Sequence, residues 1–153
     1  GQGELTEQLK EQVASLGLQE KVSFLSTLSD EELAQQMQTC DCLCLPSIER
    51  TEAFGMVLLE AMFFGKATII GDVKGSGMGW VVDDGVTGIK VKPADADALA
   101  DAIKRLAADR SELARLGQQG KKKFDRQFEI NHAVEGLVNV YQLTTSTPEL
   151  TTN

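Results

Sequence analysis

Two glutamates bracket the start of an apolar stretch in Leu45-Pro-Ser-Ile-Glu-Arg-Thr-Glu52-Ala-Phe-Gly-Met-Val-Leu-Leu-Glu60-Ala-Met. A fully helical path between them would hold their backbones about 12 Å apart. The carboxylate pairs of glycoside hydrolysis stand roughly 5–9.5 Å apart, so a general acid/base pair is not the natural reading. A division of labour fits better. Glu52 falls just before the helix, Gly55 lets a ligand approach the backbone, and the free amides of Phe54, Gly55, Met56 and Val57 form an anion site at the positive end of the helix dipole. Glu60 lies one to two turns further in, among Val57, Leu58, Leu59 and Met62. An acid in such surroundings needs a partner, and a pair of ligand hydroxyls would serve. Phosphate at the helix start and hydroxyls at a buried carboxylate together describe a sugar nucleotide. The spacing alone fits equally an ordinary capped helix with an exposed Glu52 and a salt-bridged Glu60.

Other reactive residues carry less chemistry. The loop Lys74-Gly-Ser-Gly-Met-Gly79 reads either as a turn or as a phosphate contact. Cys40, Cys42 and Cys44 would share one face of a strand, with Leu43 and Leu45 on the other. Three thiols along an extended strand do not readily wrap a tetrahedral metal ion, and no nearby histidine completes a set, so they read as small buried hydrophobes. An odd cysteine count suits a reducing cytoplasm. His132, the only histidine, reads as a surface or helix-packing residue. Lys121, Lys122 and Lys123 read as a solvated helix face.

The 153 residues are 42% hydrophobic and 25% charged, enough for one soluble domain burying roughly 70% of its unfolded surface. No apolar run approaches the roughly 20 residues of a spanning helix, and no signal peptide is visible at Gly1. The start at Gly-Gln-Gly, without methionine, leads us to expect a piece of a longer protein. A net charge of −8 and a pI of about 4.7 repel nucleic acid and anionic lipid. Residues 1–100 hold 7 basic and 16 acidic groups, whereas residues 101–130 hold 8 and 5.

The elements that position these residues follow from periodicity. Leu5, Leu9, Val13 and Leu16 predict a helix over 3–16 that closes at Gly17, and Val22 to Leu25 a short strand. Ser29 with Glu32 makes a capping box before a short helix. The cysteine strand stops at Pro46. A helix over 54–64, a strand over 67–71, the glycine loop leading into Trp80-Val-Val, a turn at 83–85 and a strand over 88–91 follow. Helices over about 95–108, 111–124 and 130–143 precede a polar tail, 144–153. Alternating strands and helices predict an α/β fold with a parallel sheet covered on both faces, its ligands at the carboxyl ends of the strands.

The ordered motifs resemble family 4 retaining glycosyltransferases. Leu45-Pro-Ser, Glu52-Ala-Phe-Gly and Glu60-Ala-Met match the E-x7-E signature. Gly1-Gln-Gly-Glu-Leu with Lys21-Val-Ser-Phe-Leu precede it, and Asp84-Gly-Val-Thr-Gly-Ile-Lys-Val-Lys-Pro with Asp97-Ala-Leu-Ala-Asp-Ala-Ile follow. The similarity covers about residues 1–143, and Gly75-Ser-Gly-Met-Gly-Trp80 looks like the loop of bacterial members acting on cell-surface polysaccharides. The resemblance implies a Rossmann-like, incomplete C-terminal domain of a GT-B fold. It makes 1–143 a partial donor-binding domain and 144–153 a flexible tail.

Carried over residue by residue, Glu60 matches the glutamate that binds the ribose hydroxyls, and Glu52, as catalytic residue, the one facing the transferred sugar. The backbone of Phe54, Gly55, Met56 and Val57 matches the contact to sugar and distal phosphate. The turn around Ser26 to Leu28 matches the segment beside the base, and Gly75 borders the phosphates, although Gly79-Trp80 stands where Pro-Glu is often found. The parent so implied moves a sugar from a nucleotide-sugar to a glycan or lipid-linked acceptor. It does so without metal or cofactor, in the cytoplasm or peripherally at the inner face of the membrane.

The resemblance also implies departures. The first strand-loop-helix unit, with its diphosphate-binding Arg and Lys, and the acceptor domain are expected to be absent, leaving this piece inactive by itself. In a 3-2-1-4-5-6 order we expect a contiguous trio (cysteine strand, 67–71, 88–91) with the Val22 strand displaced or newly paired, and an apolar slot where strands are wanting. A non-catalytic α/β module, or a nucleotide-sugar epimerase or phosphorylase of the same fold, are the alternatives.

Overall fold

The computed structural model describes residues 3–129. The chain divides into two units, Gly1–Gln38 and Thr39–Asn153. In the first, helix α1 (Thr6–Ser15) carries the predicted apolar stripe and is followed by Gly17 in the left-handed region, φ 67°. No residue of α1 is buried; Leu5, Leu9 and Leu16 stay exposed. Val22 to Leu25 is not a strand. Apolar alternation alone does not make a strand, which also needs a hydrogen-bonded ladder. Helix α2 (Asp30–Thr39) begins with the predicted capping box. The Ser29 amide and hydroxyl donate to Glu32 Oε2 at 2.8 and 2.9 Å, and the Glu32 amide returns a bond to Ser29 Oγ at 3.3 Å.

The second unit is built on three parallel strands, β1 (Cys42–Leu45), β2 (Ala67–Gly71) and β3 (Gly88–Val91), in the order β1-β2-β3. This is the expected trio. Its register aligns Cys44 with Ile69 and Ile69 with Ile89, so alternate residues feed two cores. Ala67, Ile69, Ile89 and Val91 pack under α5 (Ala96–Ala108) and the first turns of α6 (Arg110–Gln127), through Ala102, Leu106 and Leu116. On the other face Ile70 packs with Leu58 and Met62 of α3 (Met56–Phe63) and Met78 and Val81 of α4 (Met78–Val81), joined by Leu43 and Leu45. Every residue of β2 is buried, as a central parallel strand requires. Beside β1 an apolar cavity of about 280 Å³ is lined by Cys42, Cys44, Ile69, Ile103, Leu106 and Leu113.

Several boundaries differ from expectation. Cys40 lies before β1, so only Cys42 and Cys44 share a strand face. The third helix starts at Met56 rather than Phe54, because Gly55 takes φ 74° and sets the entry. Trp80 and Val81, into which the glycine loop leads, belong to a helical turn, α4. The basic run is not a uniform solvated face either: Lys122 is exposed, but Lys123 is buried. His132, the helix over 130–143 and the tail 144–153 lie outside the described residues. No described helix is long and apolar enough to cross a membrane.

Candidate functional site

The loop after β1 turns at Gly55 into α3. Glu52, half-buried, accepts the Gly55 amide on Oε1 at 3.0 Å, and the Leu58 amide donates to the Gly55 carbonyl at 2.8 Å. A Cβ at residue 55 would meet Leu58 Cδ1 at 2.8 Å, so both φ and space demand glycine. The amides of Met56 and Val57 precede the first helical hydrogen bond and find no acceptor among the described residues. Glu52 therefore uses one amide of the anion site and leaves the next two open.

The glycine loop after β2 is latched to this turn. Ser76 Oγ donates to the Glu52 carbonyl at 2.8 Å and receives the Met78 amide at 3.2 Å. The Gly77 amide donates to the Ala53 carbonyl at 2.7 Å, so close that a Cβ at 77 would itself lie 2.7 Å from that oxygen. Beyond the loop, Lys90 Nζ holds the Gly79 carbonyl at 2.9 Å and Lys123 Nζ the Trp80 carbonyl at 2.7 Å. The Phe54 ring lies 5.9 Å from Trp80, which packs edge-on against Phe128 at 5.0 Å. Phe54, Gly55, Glu52 and Gly75 are thus gathered on two joined loops at the carboxyl ends of β1 and β2, with Met56 and Val57 in the first turn of α3 beside them.

Glu60 departs from the expectation of a buried carboxylate. It is exposed, on the outward stripe of α3 with Met56 and Phe63, while Leu58, Ala61 and Met62 turn inward. Apolar sequence neighbours are spread around the helix at about 100° steps, so they do not enclose it. The carboxylate borders an open apolar cavity of about 320 Å³ lined by Leu59, Phe63, Phe64, Phe124 and Phe128. Ser26 and Leu28 belong to the first unit, exposed and half-buried respectively.

Sequence reasoning missed Ser76, Lys90 and Lys123. A serine flanked by two glycines was the one available signal, since the lysine contacts span 11 and 43 residues. The cysteines of β1 differ in acidity. The Cys44 thiol and burial push Cys42 above the usual thiol range, while the hydrogen bond from Cys42 holds Cys44 below it. Among the described residues no three of His, Cys, Asp and Glu are grouped to hold a metal ion.

The model of the family "Glycosyl transferases group 1" matches residues 1–123. The chain belongs to this family. It is 30% identical over 141 residues to O-antigen chain mannosyltransferase C of Escherichia coli, covering 92% of this chain and 38% of that protein. It is 35% identical over 133 residues to D-inositol 3-phosphate glycosyltransferase of Nocardia farcinica, covering 87% and 28%. Anabaena Alr3699/HepE, solved in complex with UDP, superimposes with a TM-score of 0.80 at 26% identity, over 89% of this chain and 36% of that one. The same protein in complex with UDP-glucose gives a TM-score of 0.78. This group 1 chain thus spans about a third of the length of the relatives it matches. Its α/β sheet with helices on both faces is that of GT-B glycosyltransferases.

Proposed function

We propose that this chain is the donor-binding part of a retaining, family 4 glycosyltransferase acting on a glycan or lipid-linked acceptor of the cell surface. The observation that carries the reading is the latch between the Glu52 turn and the glycine loop, through Ser76 to the Glu52 carbonyl and Gly77 to the Ala53 carbonyl. Two loops from adjacent strand ends thereby form one rigid rim, with the open amides of Met56 and Val57 on it. The leaving diphosphate is stabilised there by fixed dipoles. Glu52 faces the transferred sugar and Glu60 the ribose hydroxyls. The E. coli mannosyltransferase and the UDP-glucose complex of the Anabaena protein support a nucleotide-sugar donor. The reaction needs no metal or cofactor and takes place in the cytoplasm, at the inner face of the membrane where the acceptor is lipid-linked.

A thermal-shift panel of UDP-, GDP- and ADP-sugars on the full-length protein tests the donor site. One nucleotide is expected to raise the midpoint, and no response to any would overturn the reading. Turnover by the full-length protein, followed by NMR of the product's anomeric proton with and without EDTA, tests retention and metal independence.

A further inference from the structure

Arg50 stands two residues before Glu52, exposed at the tip of the loop after β1. Its guanidinium makes no hydrogen bond or ion pair among the described residues, although Glu49 and Glu52 are close in sequence. Yet it is not loose on the surface. A Cβ built on Gly75 would lie 3.1 Å from both its Cζ and Nε and 3.3 Å from Nη2. The guanidinium is lodged on the bare backbone of the glycine loop, where Gly75 takes φ 77°. The latches at Ser76 and Gly77 follow directly on that contact, so Arg50 rides on the same rigid rim as Glu52 and the open amides.

Charge makes this cation conspicuous. Residues 1–100 hold 7 basic against 16 acidic groups. Of the basic ones, Lys90 is committed to the Gly79 carbonyl. The loops that follow β1 and β2 contribute only Arg50 and Lys74. A diphosphate approaching so acidic a surface needs a fixed positive partner, and a guanidinium presents a planar fork of donors that matches two phosphate oxygens. We propose that Arg50, seated on Gly75, is a further cation for the donor's diphosphate, beside the upstream Arg and Lys that the resemblance implies, and positions it against the α3 amides. The inference rests on the donor-site reading and adds to it a residue and a reason for glycine at position 75.

The test is an NMR titration of the 153-residue chain at fixed salt with UDP, GDP and ADP, the matching nucleosides, and inorganic pyrophosphate as a base-independent probe. Arg50→Ala is expected to weaken the best diphosphate by about tenfold while leaving nucleoside binding unchanged. Arg50→Lys recovers part of the loss, since a point charge replaces a fork. Gly75→Ala, which displaces the guanidinium, reproduces the defect, whereas Lys74→Ala costs much less. Unchanged emission from Trp80, the only tryptophan, confirms that each variant is folded. Arg50→Ala within about twofold of the unsubstituted chain would overturn the inference alone. A chain that binds neither diphosphate nor pyrophosphate, or binds nucleoside and diphosphate equally, would overturn the donor-site reading as well.

Discussion

Lys123 of α6 and Asp83, in the turn before β3, meet at 2.9 Å from Nζ to Oδ2, and the same ammonium donates to the Trp80 carbonyl at 2.7 Å. The lysine side chain is 9% exposed and the aspartate 51%, so the cation is enclosed while its counter-ion is half in water. With Lys90 on the Gly79 carbonyl, two lysines hold the carbonyls in the middle of α4, and with them the far end of the glycine loop. A helix more than forty residues away therefore sets the position of a loop at the candidate site.

Removing that ammonium leaves the Trp80 carbonyl without its donor. Lys123→Met is expected to lower the unfolding free energy by about 1–3 kcal/mol, read from urea denaturation. Asp83→Asn costs less, because water replaces the lost charge at a half-exposed site. Equal losses from the two variants would assign the stabilisation to the ion pair rather than to the carbonyl.

A second constraint on α6 lies at Gly117. A Cβ there would sit 2.0 Å from the Gly65 carbonyl oxygen and 2.9 Å from its carbon, both backbone atoms of the turn between α3 and β2. Neither can yield without moving the turn. Gly117→Ala is expected to destabilise by about 1–3 kcal/mol despite its higher helix propensity. A gain in thermal midpoint would contradict this packing.

Local signals explain why so much of the fold was legible. The Ser29–Glu32 box, the strands over 67–71 and 88–91, and the helix ends at Gly17 and Gly65 each depend on residues a few positions apart. Val22 to Leu25 failed because a strand needs a partner that its own alternation does not supply. Glu60 was placed in apolar surroundings by its sequence neighbours, which the helix disperses around its axis. Lys123 looked like one of three solvated lysines until the 80s turn met it. Glu52 and Gly55 stand out in the sequence by spacing and type, and Gly75 by the resemblance; Ser76 and Arg50 do not, since their contacts arise only when two loops close on each other.

Acid stability depends on carboxylates held below their ordinary range. Asp41 accepts from Arg110, Asp109 from the Glu112 amide and the Ser111 hydroxyl, and Glu112 from Arg105. Each folded pKa lies below its ordinary value of 3.8 or 4.5, so the unfolded chain binds protons first as the pH falls. Their contribution is complete above those ordinary values and disappears as the pH drops through the lower folded ones. The urea midpoint is expected to hold from pH 7 to about 5 and then to fall. Asp109→Asn should flatten that acid limb, and an unchanged limb in this variant would remove Asp109 from the account.

The two strand thiols should react in a fixed order. Cys44 is exposed and held below the usual thiol range, whereas the neighbouring thiol and burial push Cys42 up. Alkylation rate follows thiolate fraction and access. Iodoacetamide is expected to label Cys44 first, with Cys40, raised by burial, and Cys42 lagging. Peptide mass spectrometry with time reads the order, and earlier labelling of Cys42 would contradict it.

The two glutamates of the signature should separate stability from affinity. Glu52 spends its carboxylate on the Gly55 amide, so Glu52→Ala loses a structural bond worth about 1 kcal/mol, while Glu52→Gln keeps an acceptor there and the stability with it. Glu60 is exposed, and its carboxylate has no partner among the described residues; Glu60→Ala is expected to leave stability within about 0.5 kcal/mol. Donor affinity runs the other way. In the proposed roles, Glu60→Ala is expected to weaken nucleotide binding by about tenfold or more, and Glu52→Gln to affect the transferred sugar while leaving nucleotide affinity unchanged. Denaturation and nucleotide titration on the same four proteins read both axes. If Glu60→Ala destabilises the fold as much as Glu52→Ala does, Glu60 is a structural residue, and the ribose contact must be sought elsewhere on α3.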